Sequence, residues 1–315
     1  MTVPDSVTIA RATYRRLVKQ VQPDGTVTAF DAARTFDLIE HQVANLEELE
    51  LLLRQLEQLG RCCVVRGKPA DPERCKGVRR LLYPDAETGD PATLVETPRR
   101  WLALDFDSLP KPDWIEISDL LACACVAIRK LPVEFQKARF IVQATASHGL
   151  KPGIRIRLWC WLSRPVGAAE LKFWLRATPL DTWVLGAAQV IYTAAPVLLS
   201  GAVDPLPTRI AVVPGHDVVP VPPPSRLKPP DRRYLRRETE PHGNISGLII
   251  FVETARIGNR SNALYWAARR VAENTDIDAG AAATALEAAA IRAGLSQKEA
   301  AATVQSGLRH GGGHG

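Results

Sequence analysis

The sequence predicts an α+β fold: a largely antiparallel sheet with flanking helices, followed by a C-terminal helical bundle. Three observations predict it. Ile154-Arg-Ile-Arg-Leu-Trp-Cys-Trp-Leu162 alternates strictly, as a strand does. Trp101-Leu-Ala-Leu-Asp105-Phe-Asp107 is a second strand-like run, and helical segments fall between such runs rather than in one block. Beyond residue 246 the chain turns Ala-rich, with apolar residues at helical spacing.

In chain order, Phe30, Ala33, Phe36 and Val43 recur near helical period after Thr28, which predicts an N-terminal helix. Asn45 and Glu48 form a capping-box pattern ahead of Leu49, Leu52, Leu53 and Leu56, with Gly60 closing that helix. Strands are expected over 62–66 and 99–107, joined by a loop rich in Pro, Gly, Asp and Arg. A buried helix follows over 117–131, then a strand over 139–145 that runs into Ala146-Ser147-His148-Gly149. After the 154–162 strand come a helix over 167–177, a new segment at Leu180-Asp181, and short strands over 192–199 and 209–213. Residues 1–213 are thus read as one domain. Prolines and arginines crowd residues 214–246, which read as a basic linker able to bury little apolar surface. Residues 247–315 read as a bundle of three helices: Leu264, Ala268 and Val271 mark the first, Leu286, Ala289 and Ala290 the second, and a Ser296/Glu299 capping box opens the third.

Composition narrows the classes of function. At 46% hydrophobic and 23% charged residues the chain is a folded protein. Forty Lys and Arg against 34 Asp and Glu leave a net charge of +6, compatible with a polyanionic partner. The six cysteines include no C-x-x-C pair, which argues against a zinc knuckle and for reduced thiols. Charges run through the first thirty residues, and the longest apolar run, 120–128, is too short to span a bilayer. A cytoplasmic protein without membrane contact is expected. No G-x-x-x-x-G-K-[ST] motor motif occurs, so any helicase is a separate partner.

The aspartate pair carries the chemistry. In a strand Asp105 and Asp107 share one face with Trp101 and Ala103, while Leu102, Leu104 and Phe106 face the other way. Carboxylates at successive same-face positions stand roughly 7 Å apart at their roots and can converge on divalent cations. Phosphoryl-transfer enzymes use that layout. On the 154–162 strand, Arg155, Arg157, Trp159 and Trp161 face one side.

Asp105-Phe-Asp107, Ala146-Ser147-His148 and Leu180-Asp181, in that order, resemble the three-motif signature of the archaeo-eukaryotic primase superfamily. The primase-polymerases of plasmids, phages and integrated elements, including the IncQ plasmid primases, are the most similar group. "SHGLKPGIRIRLWCWLSRP", "QVIYTAAPVLLSGAVDPLPTR" and the tail from Gly258 also resemble it. The resemblance implies that residues 1–213 hold a primase-polymerase core, with Asp105, Asp107 and Asp181 holding Mg²⁺ or Mn²⁺. It implies that His148 binds the phosphates of a nucleoside triphosphate, helped by Ser147, with Arg155 and Arg157 as further phosphate ligands. Trp159 and Trp161 are expected to pack the core. Asp204, in Val203-Asp-Pro, is the alternative third carboxylate, although the family pattern favours Asp181. In the bundle, Arg256, Arg260, Arg269 and Arg270, with Asn259 and Asn262, are candidates for gripping a single-stranded DNA template or the initiating nucleotide. The expected activity is primer synthesis on single-stranded DNA. Two other readings stand beside it: an Asp-x-Asp glycosyltransferase, and a non-catalytic DNA-binding replication accessory protein.

Overall fold

A computed structural model describes residues 4–29, 33–85, 88–227, 245–255, 259–273 and 278–311. They belong to two compact units, Met1–Asp231 and Arg232–Gly315. The chain is α+β. The first unit contains strands β1 (Asp5–Ala12), β2 (Lys19–Val21), β3 (Val27–Ala29) and β4 (Phe36–Val43), then helix α1 (Leu46–Glu57). Strands β5 (Cys62–Val65), β6 (Lys68–Pro69), β7 (Leu94–Val95) and β8 (Arg99–Leu109) lead to helix α2 (Leu120–Ile128). Strands β9 (Phe140–Ala144) and β10 (Ile154–Val166), helix α3 (Ala168–Trp174), and strands β11 (Ile191–Tyr192), β12 (Val197–Leu198) and β13 (Ile210–Val213) complete it.

Two four-stranded antiparallel sheets form the frame, ordered β11-β5-β1-β4 and β13-β9-β10-β8. Residues directly opposite in an antiparallel pair project to the same side. Phe106/Ile156, Leu104/Leu158 and Leu102/Cys160 therefore share one face of the second sheet, and Asp105/Arg157, Ala103/Trp159 and Trp101/Trp161 share the other. Both faces of β8 and β10 are covered, so apolar side chains on either side are buried. The leucines of α1 and the apolar residues of α2 join these strands in one core.

The N-terminal helix expected from Thr28 to Val43 is absent: Thr28 lies in β3 and Phe36–Val43 is β4, paired with β1 along eight residues. Phe30 lies outside the described residues. Phe36 and Leu38, both buried, obey a two-residue period as well as a helical one. Pairing with β1 decides for the strand. By contrast α1 begins where its capping box predicts: the Asn45 side chain accepts from the Glu48 amide at 2.9 Å, and the Glu48 carboxylate accepts from the Ala44 amide at 2.8 Å.

The start of the Pro-rich stretch expected as linker is part of the first unit. Val219 pairs with Leu162, the Ser163 amide donates to the Val219 carbonyl, and Val219 and Leu227 are buried. Residues 228–244, with most of the expected basic arm, lie outside the described residues.

The second unit holds four helices among its described residues, not three: α4 (Ile245–Glu253), α5 (Arg260–Ala272), α6 (Ala279–Arg292) and α7 (Gln297–Gly311). Ile245, Leu248, Ile249 and Val252 of the unexpected α4 pack into the core formed by Leu264, Leu286 and Val304. Gly294, at φ +99°, ends the turn after α6 in a conformation that favours glycine. No helix among the described residues is long and apolar enough to cross a membrane.

Replacing Asn45 by Ala removes the side-chain cap of α1. It should cost about 1 kcal/mol, read as a lower urea midpoint with unchanged slope. An unaltered midpoint would mean that packing alone holds the helix start.

Candidate functional site

The ladder between β8 and β10 sets Arg157 opposite Asp105, and the ladder between β10 and β9 sets Gln143 next in the same row. A polar row thus crosses three strands inside an otherwise apolar layer. Arg157 donates from Nη2 to Asp105 Oδ2 at 2.6 Å and from Nη1 to the Tyr192 carbonyl at 2.5 Å. Gln143 donates to the Thr193 carbonyl at 2.7 Å and accepts from Trp159 Nε1 at 3.1 Å. The row therefore grips the end of β11, a strand of the first sheet, and the residue that follows it. Asp105 Oδ1 and Arg157 Nε are buried without a hydrogen-bond partner.

A cavity of about 210 Å³ opens on this row. Its lining includes Asp105, Asp107 and Arg157, with Gln143 and the 144–147 segment. Arg16, Leu17, Val18 and Lys19 also contribute to it, together with Ala33, Tyr192 and Ala194. Asp107 stands exposed at the end of β8. Partial desolvation raises its pKa, and the neighbouring charges of Asp105 and Asp181 raise it further, against Arg157 and Arg155.

Asp181 adjoins the pair through the backbone, its amide donating to the Asp105 carbonyl at 3.1 Å. Asp204 is committed elsewhere: both its oxygens accept from Arg209, at 2.7 and 2.8 Å, and Oδ1 also accepts from the Leu206 amide. Neither aspartate lines the cavity.

No cluster of three or more His, Cys, Asp or Glu side chains placed to hold a metal occurs among the described residues. The donor set that does exist suits a small hard cation. Two same-face carboxylates are present, one with an orphaned buried oxygen of the kind a cation satisfies. Such ions are commonly bound by one or two carboxylates plus substrate phosphates rather than by an all-protein cage.

His148 departs from the phosphate-binding role implied by the resemblance. It is fully buried, Nδ1 accepts from the Arg155 amide at 3.1 Å, and Nε2 lies 2.8 Å from the Ile117 carbonyl. An acceptor Nδ1 leaves the proton on Nε2, so the ring is neutral with both nitrogens used. Burial lowers its pKa, opposed by the Ile117 hydrogen bond. His148 holds the turn against β10 and the segment before α2. Gly149, at φ +78°, closes that turn, and a Cβ there would stand 2.9 Å from Pro205. Ser147 reaches the cavity wall, while Arg155, outside it, donates from Nε to the Pro152 carbonyl at 3.1 Å. Trp159 and Trp161 are buried as expected.

The candidates in the second unit are partly engaged. Arg269 and Arg270 both reach Glu273, at 3.0 and 3.2 Å. The Arg260 guanidinium packs against Gly294, and the exposed Asn262 donates to Asn259 at 3.4 Å. Arg256 lies outside the described residues. Sequence reasoning missed Arg16, Lys19 and Gln143. Gln143 stood inside an expected strand with no motif around it, and only the tertiary fold brings the first two to the aspartates.

Residues 8–84 match a family described as a protein of unknown function (DUF3253). No curated protein matches the chain. A solved structure described as "Crystal structure of primase RepB'" aligns with a TM-score of 0.27 and 11% identity, covering 99% of this chain and 91% of that one. That likeness is too slight to bear on fold or activity.

Two outcomes follow from the geometry. His148→Ala orphans the Ile117 carbonyl and the Arg155 amide, so it should destabilise the fold by about 1–3 kcal/mol in urea unfolding. A urea midpoint unchanged from wild type would leave the ring without this structural role. Asp107→Asn removes a carboxylate whose folded pKa is raised, and such a group costs stability only above its ordinary range. The variant should unfold at a higher urea midpoint than wild type at neutral pH, with the gain gone by about pH 3.5, below the ordinary aspartate value. A gain of equal size at both pH values would refute this origin.

Proposed function

We propose that the chain is a template-dependent nucleotidyltransferase, a DNA primase-polymerase that synthesises short primers on single-stranded DNA. One observation carries the reading: Asp105 and Asp107 line a single cavity with Arg157 and Ser147, at the junction of two sheets, and Asp181 adjoins them. The order of the three motifs, resembling that of the archaeo-eukaryotic primase superfamily, supports it.

In this reading Asp105 and Asp107, with Asp181 beside them, hold Mg²⁺ or Mn²⁺ together with the nucleotide's phosphates. The bound ion supplies charge neutralisation of the triphosphate and activation of the primer 3′-hydroxyl. The chain's own groups do the rest. Arg157 pairs with Asp105 and orients its carboxylate. Ser147 presents its hydroxyl to the cavity, and Arg155, outside the lining, adds positive charge near Asp107. Trp101, Ala103 and Trp159, buried on the same face as Asp105, keep that carboxylate in a low-dielectric wall, where its pull on a cation is stronger than in water.

Template contact is assigned to the second unit. There Trp266 is exposed, tilted against Phe251 at 5.2 Å, with the Arg270 guanidinium 5.2 Å from its ring centre. An exposed aromatic flanked by arginine suits a stacked base, with Asn262, Arg260 and Arg269 nearby on the same helix. Strand separation falls to a separate replicative helicase, and the work takes place in the cytoplasm.

The test is incorporation of labelled nucleotides on a single-stranded template with Mg²⁺ or Mn²⁺, with products sized on a gel. Short template-dependent products are expected, lost with EDTA and in Asp107→Ala and Asp181→Ala. Asp204→Ala should lose stability before activity, because it strips the buried Arg209 of its partner. Template binding without incorporation would sink the polymerase and favour an accessory protein; sugar-nucleotide hydrolysis without template would favour the transferase.

A further inference from the structure

Arg16 and Lys19 reach the cavity from a different sheet system than the aspartates do. Arg16 lies in the connection between β1 and β2, and Lys19 opens β2, which is paired on both sides by β3 and β12. The backbone there is fixed. The Leu17 amide donates to the Gly60 carbonyl at 2.7 Å, the Ala12 amide donates to the Arg61 carbonyl at 2.8 Å, and Leu17 and Val18 are buried. The two cationic side chains flanking this buried pair are exposed, and neither is engaged by an ion pair or hydrogen bond among the described residues. Surface arginines and lysines without partners are common. Two of them on an anchored segment, lining one cavity together with carboxylates, are a different matter.

The charges indicate what the cavity takes. Three cations, Arg16, Lys19 and Arg157, and two carboxylates, Asp105 and Asp107, line it. Arg157 and Asp105 neutralise each other at 2.6 Å. That leaves one carboxylate, Asp107, and two cations, Arg16 and Lys19, in the lining. Such a mixed lining with a cationic excess suits a ligand that joins a cation to excess negative charge, as a metal-bound polyphosphate does. The volume, about 210 Å³, accommodates part of a mononucleotide and not a stretch of nucleic acid. Arg157 is held in place by Asp105 and the Tyr192 carbonyl, and its charge is matched by Asp105, so it adds no net positive charge for a phosphate.

From this we infer that Arg16 and Lys19 form the anion clamp for the triphosphate of the incoming nucleotide, in the cavity that the carboxylates also line. The inference rests on the nucleotidyl-transfer reading of this site. It assigns the phosphate contacts to the N-terminal segment rather than to His148. Arginine supplies a planar donor fork and lysine a mobile point charge, a pairing suited to a substrate whose phosphates shift during the reaction.

The experiment titrates the full-length protein with a fluorescent mant-labelled nucleoside triphosphate, with Mg²⁺ and without it, and no DNA present. Inorganic tripolyphosphate is the competitor, and binding of a single-stranded oligonucleotide is measured separately. The Arg16→Ala/Lys19→Ala variant should bind the nucleotide about tenfold more weakly or worse, and tripolyphosphate should compete correspondingly poorly. Arg16→Lys/Lys19→Arg should recover most of the loss, and the urea midpoint should be unchanged because both side chains are exposed. Oligonucleotide affinity should stay as in wild type. Nucleotide affinity within twofold of wild type would overturn the clamp, as would a loss confined to the oligonucleotide, which would make these residues template contacts. Absence of nucleotide binding by wild type would overturn it too. Incorporation assays on the same preparations separate the two claims. A wild type that binds nucleotide through these cations but polymerises nothing keeps the clamp and ends the polymerase reading. A double variant that binds and polymerises normally does the opposite.

Discussion

The ion pair between Asp105 and Arg157 is the constraint around which the first unit is arranged. Both side chains are nearly inaccessible, and burying two charges costs several kcal/mol per ion unless the geometry repays it. Here repayment is incomplete. One oxygen of Asp105 and the Nε of Arg157 remain without partners. A strand designed for stability alone would carry apolar residues at these two positions, as it does at the flanking pairs Leu104/Leu158 and Ala103/Trp159. Under the proposed function, this half-satisfied polar row in the middle of the main ladder is the part of the core given over to the site.

The same row ties two sheets together. Arg157 and Gln143 end on the carbonyls of Tyr192, the last residue of the edge strand of the first sheet, and of Thr193 after it. At the other end of β8 a second polar seam does similar work. Arg66 donates to the Trp101 and Val166 carbonyls at 2.9 and 3.1 Å, and Arg99 reaches Ser6, Thr8 and the Arg66 carbonyl. Burial lowers the pKa of Arg66 to about 10, still leaving it charged at neutral pH. Its donors are spent on backbone carbonyls rather than on a carboxylate, so it acts as a cross-brace. With both ends of β8 tied to the N-terminal sheet, the segment carrying Arg16 and Lys19 is held at a set distance from the aspartates. That rigidity lets groups from opposite ends of the sequence share one cavity.

His148 shows how a motif can be right in position and wrong in role. The turn lies where the pattern puts it, next to the cavity, and Ser147 does face inward. The imidazole instead satisfies a buried amide and a buried carbonyl. A histidine in a Ser-His-Gly turn reads the same from sequence in either role, because only the direction of the ring separates ligand from strut.

Much was legible from residue order alone. Strict alternation from Ile154 to Leu162 and the apolar run into Asp105 define β10 and β8, since period and burial are local properties of the chain. The Asn45/Glu48 cap and the helical spacing after it locate α1 for the same reason. The shared face of Asp105 and Asp107 follows from strand geometry without any tertiary contact. Pairing was not legible. Phe36 to Val43 fits two periods, and β1 chose between them across the sheet. The α4 segment, mostly apolar along its length, gave no amphipathic signal before α5 and α6 packed against one side of it. Arg16, Lys19, Arg157 and Asp105 meet because strand register and sheet docking, set by the packing of distant segments, bring them together. Local sequence therefore determined which carboxylates could act, and tertiary structure alone decided which cations share their cavity.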